Sequence, residues 1–310
     1  MLVGGRWQAE DNKYDSRDGR FKRQDSKFRS WIGKDPAFPV ESGRYVLLGC
    51  YPCPWSHRTM IIRKLLGLET AIDLVMLDSI ISEQGWRLAG DTPDFDTDPV
   101  YLHQYYSASK PDYTGLVTTP VLWDRKSRRI VSNESADIIR MAATEFSALG
   151  NNAYDLYPEA MRAGIDEIAG FIYERLNNAV YRAGFAADQA AYDEAVIDVF
   201  KSLDRLEERL GQQRWLCGDN PTLADVCALP TLIRFDIVYY PLFRCNLRRL
   251  QDMPNIWNYL MRIYRWPGVA GTCNADEYRR GYFSNMKRLN PSGIIPAGPL
   301  LELPAIADPD

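Results

Sequence analysis

Apolar residues come first as short unbroken runs and later as helical stripes, and the rhythm changes near residue 150. The run YVLLG at 45–49 has the length and continuity of a buried strand. Residues 50–52 turn the chain, and Pro54 fits the first position of a helix, where its missing N–H costs nothing. That helix continues through Met60, Ile61, Ile62, Leu65 and Leu66 and stops at Gly67. A second strand is expected over 72–77, then a long irregular insertion from about 82 to 114. Residues 117–123 read as a third strand, 124–127 as a turn and 129–131 as a short antiparallel partner. Asn133, Glu134 and Ser135 then open another helix with good capping chemistry. The order β-α-β, insertion, β-β-α describes a small mixed α/β domain ending near residue 145.

From about 155 the pattern is helical. Ile165, Ile168, Ile172 and Leu176 recur at intervals of three and four, as do Val196, Val199, Phe200, Leu203, Leu206 and Leu210, with Gly211 closing the second helix. Thr222 and Asp225 form a capping box ahead of an apolar stretch over 226–240. A further helix over 256–264 stops at Trp266-Pro267-Gly268. Residues 1–43 are polar, but Trp7, Phe21, Phe28 and Trp31 suggest an arm that packs on the body. The expected domains are an arm (1–43), an α/β domain (44–150), a helical domain (151–290) and a Pro- and Gly-rich tail (291–310).

Composition narrows the function classes. Across 310 residues, 46% are hydrophobic and 25% charged, as in ordinary globular proteins. A net charge of −4 and a pI near 5.4 favour neither nucleic acid nor anionic membrane as a partner. No apolar run approaches the roughly 20 residues of a membrane span. The first 29 residues lack the apolar core of a signal peptide, so a cytoplasmic location is expected. In that reducing setting the six cysteines are expected as free thiols. Two histidines and one close cysteine pair are too few for a zinc site, and no metal is expected.

Cys53 carries the strongest chemical signal. A free thiol near pKa 8.5 is mostly protonated at neutral pH, whereas at a helix N-terminus unpaired N–H groups and the helix dipole favour the thiolate. Strand, turn, Cys53, Pro54 and helix place the sulfur there, with His57 and Arg58 adding positive potential. Cys50 and Cys53 form a C-x-x-C pair, but the register is not that of a dithiol redox motif. The cysteine before the proline is Cys53, and Ser56 stands where the second cysteine would be. Cys50 is read as a bystander.

The run CPWSHR at 53–58 resembles the Cys-Pro-Trp-(Ala/Ser)-His-Arg motif of the glutathionyl-hydroquinone reductases, the xi-class relatives of omega-class glutathione transferases. TTPVLWD at 118–124 resembles the family's strand bearing a cis-proline, and SNES at 132–135 its glutathione-anchoring turn. VYRAGFA at 180–186, CNLRR at 245–249 and NPSGIIP at 290–296 resemble its later signatures. The likeness runs from about residue 5 to 299. It implies a thioredoxin-like N-terminal domain followed by a helical glutathione-transferase C-terminal domain, and a homodimer. It further implies a reaction in which Cys53 takes glutathione from a glutathionyl-hydroquinone and a second glutathione, the co-substrate, frees it as glutathione disulfide. Thr119 and Pro120 would hold the cysteinyl part of glutathione, Glu134 and Ser135 its γ-glutamyl end, and Trp86 would pack on it. Tyr181 and Tyr282, with Tyr239 as a further candidate, would assist departure of the ring, because a phenol donates to developing negative charge without itself being charged. Leu116 and Thr119 depart from the family pattern of a basic residue before the strand and Val before the proline, which leaves the glycine carboxylate without an assigned anchor. Around Tyr282, Asn285-Met286 stands where relatives often carry Ser-His.

Two other readings share some of these features. An omega-like thioltransferase or dehydroascorbate reductase would use Cys53 without the tyrosines or the insertion. A non-catalytic binding protein on the same fold would need no reactive thiol. A conjugating transferase is disfavoured, since cysteine here forms mixed disulfides whereas conjugation uses Ser or Tyr.

Overall fold

The arm begins as two short antiparallel strands, β1 (Leu2–Val3) and β2 (Arg6–Trp7). The computed structural model describes residues 1–9, 19–90, 100–151, 153–301 and 303. Residues 10–18 of the expected arm, 91–99 of the insertion, 152, and 302 with 304–310 of the tail lie outside the described residues. The described chain forms two compact units, one built from 1–9 and 24–154, the other from 19–23 and the residues from 155 onward. The arm thus contributes to both.

In the first unit β3 (Tyr45–Gly49) is buried along its whole length and forms the inner part of a four-stranded sheet. It pairs in parallel with β4 (Ile72–Met76) and antiparallel with β5 (Val121–Asp124), which in turn pairs with β6 (Arg129–Ser132). The crossover between β3 and β4 is helix α1 (Pro54–Leu65), as a parallel pair requires. It packs with α3 (Ser135–Thr144). The third strand is shorter than its sequence suggests, starting at Val121 rather than 117. The insertion is also less irregular than expected, because it contains helix α2 (Leu102–Ser109), opened by Gln104 accepting from the Tyr101 N–H at 2.8 Å. Leu102, Tyr105 and Tyr106 fall on one helical face, and they join Val46, Leu48, Val121 and Trp123 in a common core. Leu2 of the arm enters that core, with Trp7 and Phe28 packed against it.

The second unit is helical: α4 (Arg162–Ile172), α5 (Ala179–Gly184), α6 (Gln189–Gln212), α7 (Leu223–Arg234), the single turn α8 (Tyr240–Leu242), α9 (Pro254–Tyr264) and α10 (Ala275–Asn285). The capping box appears as expected, Thr222 accepting from Ala224 N–H and Asp225 from Thr222 N–H at 2.7 Å. Two wide π turns, Tyr173–Asn177 and Phe235–Tyr239, interrupt the helical stripes. Each admits an extra residue and re-aims the side chains after it, a feature common at functional sites. No helix among the described residues is long and apolar enough to cross a membrane.

Candidate active site

Cys53 is the N-cap of α1, with Pro54 at the first helical position, so the local sequence places the sulfur at the helix start. Its Sγ accepts from the Ser56 N–H at 3.4 Å, and its thiol donates to the Thr119 carbonyl at 3.4 Å. Burial opposes ionisation, but hydrogen bonds from the Cys50 thiol, the Ser56 N–H and hydroxyl and the Trp55 N–H outweigh it and bring the pKa down to about 6. Elsewhere burial wins: it raises the Cys217 and Cys245 thiols and, against hydrogen bonds from Thr272 and Tyr278, pushes Cys273 up to about 11. Cys50 is therefore more than a bystander, since its buried thiol helps hold the thiolate.

Thr119 and Pro120 lie against that sulfur, and the bond between them is cis. The Thr119 hydroxyl bonds to Ser56 Oγ at 2.9 Å and donates to the Leu48 carbonyl at 3.3 Å. Because β5 starts only at Val121, the Thr119 N–H has no partner among the described residues. Once Cys53 is a thiolate, the Thr119 carbonyl also loses its donor. One backbone donor and one acceptor then stand open beside the sulfur, which suits a peptide ligand laid alongside like an added strand.

Glu134 and Ser135 begin α3 as expected, with partners the sequence did not show. Arg58, buried and one turn into α1, donates to Ser135 Oγ from Nε at 3.0 Å and from Nη2 at 2.6 Å, and its Nη2 lies 3.5 Å from Glu134 Oε1. Glu134 Oε1 accepts from the Ala136 N–H at 3.0 Å, and Oε2 accepts from Ser26 of the arm at 3.0 Å. The Ser135 N–H, at the first helical position, has no partner among the described residues. An open N–H, a hydroxyl proton left free by two accepted bonds, and a guanidinium behind them make an anion cradle at a helix start. Tyr106 of α2 braces both loops: its hydroxyl donates to the Thr118 carbonyl at 2.8 Å and accepts from Asn133 Nδ2 at 3.1 Å. Its sequence signal was the helical spacing of Leu102, Tyr105 and Tyr106, hidden in a polar segment. Trp86 and Cys53 are both half-buried against the same core cluster.

The second unit brings the three predicted tyrosines together. Tyr181 of α5 shares a hydrogen bond with Tyr282 of α10, and Tyr282 meets Tyr239 of the second π turn at 3.1 Å between hydroxyls. Phe243 lies within 5.3–5.8 Å of all three rings. Phe21, from the arm, stacks on Tyr181 at 6.2 Å, and the Arg23 guanidinium lies 5.0 Å from that ring centre. Burial raises Tyr282 well above the usual phenol range, with Tyr181 and Tyr239 adding to the shift, so it keeps its proton.

A fold of this kind, with a thiol at the head of the first helix, defines a glutathione transferase: a thioredoxin-like domain followed by a helical one. Family models for the glutathione S-transferase N-terminal and C-terminal domains match residues 52–145 and 189–262. The chain belongs to the glutathionyl-hydroquinone reductases, the xi class of that superfamily. It is 46% identical to glutathionyl-hydroquinone reductase YqjG of Escherichia coli, covering 98% of this chain and 96% of that one. It is 43% identical to glutathionyl-hydroquinone reductase PcpF of Sphingobium chlorophenolicum, over 99% and 98%. The solved xi-class transferase of Natrialba magadii superposes with a TM-score of 0.89 at 40% identity, over 99% of this chain and 95% of that one. The glutathione-bound structure of E. coli YqjG superposes with a TM-score of 0.87, over 97% and 96%.

Proposed function

We propose that the protein reduces glutathionyl-hydroquinones with glutathione, and that Cys53 is its nucleophile. The Cys53 thiolate attacks the glutathionyl sulfur. The ring first moves a hydroxyl proton to the carbon that bears sulfur; the carbon–sulfur bond then breaks as the Cys53–glutathione disulfide forms, and its electron pair ends as an oxyanion on the restored aromatic ring, which takes up one proton. A second glutathione thiolate attacks the glutathionyl sulfur of the mixed disulfide, releasing glutathione disulfide and restoring Cys53. The sum is one glutathionyl-hydroquinone and one glutathione consumed, one hydroquinone and one glutathione disulfide made. Thr119 and Pro120 take the cysteinyl backbone of glutathione. Ser135, backed by Arg58, takes the γ-glutamyl carboxylate, Glu134 the ammonium, and Trp86 packs on the tripeptide. Tyr181 and Tyr282, supported by Tyr239, donate to the departing ring. The enzyme works as a cytoplasmic homodimer without a metal, on hydroquinones arising in aromatic breakdown.

The observation that carries this reading is the buried run of phenol hydroxyls from Tyr181 through Tyr282 to Tyr239. An omega-like thioltransferase has no use for it. The test is Tyr181→Phe and Tyr282→Phe, assayed with a glutathionyl-hydroquinone and with a small aliphatic glutathione mixed disulfide. Loss of about 10²-fold on the first substrate alone is expected, by analogy with removal of one oxyanion donor. No loss on either substrate would favour the omega-like reading.

A further inference from the structure

Arg234 ends α7 with its whole side chain shielded from solvent. Its guanidinium carbon lies 3.8 Å from the centre of the Tyr278 ring, and Nη1 donates to the Pro230 carbonyl at 2.7 Å. Burying a cation is costly, and an apolar side chain of similar volume often serves packing as well or better. Desolvation pulls this guanidinium toward the neutral form, but electrostatic interaction with Tyr278, Tyr239, Tyr282 and Tyr181 more than offsets it. The influence runs the other way too: Arg234 acts to lower Tyr278, Tyr282 and Cys273. The guanidinium thus stacks on Tyr278 and interacts electrostatically with Tyr282, one turn on along the same face of α10, with Tyr239 of the π turn, Tyr181 of α5, and Cys273 just ahead of α10.

We propose that Arg234 is a positioning residue for expulsion of the aromatic ring, its fixed charge readying the Tyr181–Tyr282–Tyr239 hydroxyl chain to take up negative charge from the departing ring oxygen. The inference rests on the reading of those tyrosines given above. When charge arrives on the ring oxygen, a tyrosine O–H bond breaks and an O–H bond forms on the ring. The tyrosinate left behind is stabilised by the nearby guanidinium charge, then recovers its proton from water. Nothing is oxidised or reduced in this step. Without the cation, a tyrosinate in that apolar setting would be strongly disfavoured, and the chain would lend a hydrogen bond but no proton. The second π turn follows Arg234 directly and carries Tyr239, so the cation and the last hydroxyl of the chain are held by one continuous segment.

The test compares Arg234→Met, which removes the charge, with Arg234→Lys, which keeps it. Single-turnover formation of the Cys53–glutathione disulfide is followed from pH 6 to 10, with a glutathionyl-hydroquinone and with a small aliphatic glutathione disulfide. Ultraviolet difference titration reports tyrosine ionisation in the same proteins. For Arg234→Met the expected result is a 10- to 100-fold slower reaction with glutathionyl-hydroquinone at unchanged KM, the aliphatic disulfide within about twofold of wild type, and the last tyrosines to ionise moved to still higher pH. Arg234→Lys should recover the hydroquinone reaction to within threefold. Equal losses on both substrates, or an unmoved tyrosine titration, would overturn the proposal. If Arg234→Met does not fold, Arg234→Lys decides alone, and a loss beyond tenfold on the hydroquinone substrate would count against it. The titration does not depend on the substrate assignment. A wild-type protein inactive on glutathionyl-hydroquinones would overturn the proposed function while leaving the charge effect on the tyrosines measurable.

Discussion

At Cys53 one sulfur is subject to two opposing effects: burial works against the thiolate, and four hydrogen bonds from Cys50, Ser56 and Trp55 work for it. The balance predicts a reactivity profile. With a pKa of about 6, roughly nine-tenths of the thiol is ionised at neutral pH, against a few per cent for an unperturbed cysteine. Alkylation by iodoacetamide should rise with pH, reach half its plateau near pH 6, and be confined to one site up to neutral pH. Cys53→Ser should abolish reduction. Cys50→Ser keeps a hydrogen-bond donor and should retain most of the activity. Cys50→Ala removes the donor and should move the alkylation midpoint upward. Comparable loss of activity in Cys53→Ser and Cys50→Ser would instead mean a dithiol mechanism.

Between elements, single side chains decide how strands and helices are held. Arg44 and the fully buried Asp124 form a two-bond ion pair at 2.8 and 2.6 Å between the start of β3 and the end of β5. Breaking such a pair strands a buried carboxylate, so Arg44→Met should cost about 3–5 kcal/mol in urea unfolding. Burial raises the Asp124 pKa, but Arg44, Ser127 and the Lys126 N–H outweigh it and hold the pKa below its ordinary value. Its contribution is therefore complete above the unfolded aspartate pKa and is lost as pH falls through the lower folded value. That acid dependence should flatten in Arg44→Met. In the helical unit the sensitive contact is Gly184 against Phe243. Alanine is ordinarily about 1 kcal/mol better than glycine within a helix. Here a Cβ would meet Phe243 ring atoms at 2.5–2.9 Å, and Phe243 packs on all three tyrosines. Gly184→Ala should therefore lose about 1–3 kcal/mol and slow the hydroquinone reaction more than the aliphatic one.

For the whole molecule the proposed chemistry makes a covalent prediction. Mixing the protein with a glutathionyl-hydroquinone in the absence of free glutathione should add one glutathione per chain, at Cys53, by intact mass and peptide mapping. Addition of glutathione should return the original mass. An adduct carrying the aromatic ring would mean attack at carbon and a different reaction. Light scattering tests the homodimer.

What could be read from the chain directly was whatever depends on near neighbours. The buried run at 45–49, the turn and Pro54 put Cys53 at a helix start, and the stripes from Ile165 to Leu210 marked a helical half, because strand and helix periods and N1 proline are local properties. The family likeness supplied the tyrosines and the glutathione-binding residues by analogy, not by spacing. Partnerships across distant parts of the chain were not legible. Arg58 with Ser135 spans 77 residues, Ser26 with Glu134 108, and Tyr181 with Tyr282 101. Periodicity shows that a residue is turned inward; it does not show what it meets there. So α2 lies hidden in a polar insertion, and the strand pattern runs through Thr119 although its carbonyl lies against the sulfur. The donors that set the thiol and the tyrosines that gather around Arg234 were decided only by folding, which removes those groups from water and leaves each to be satisfied by whichever partner the tertiary structure brings beside it.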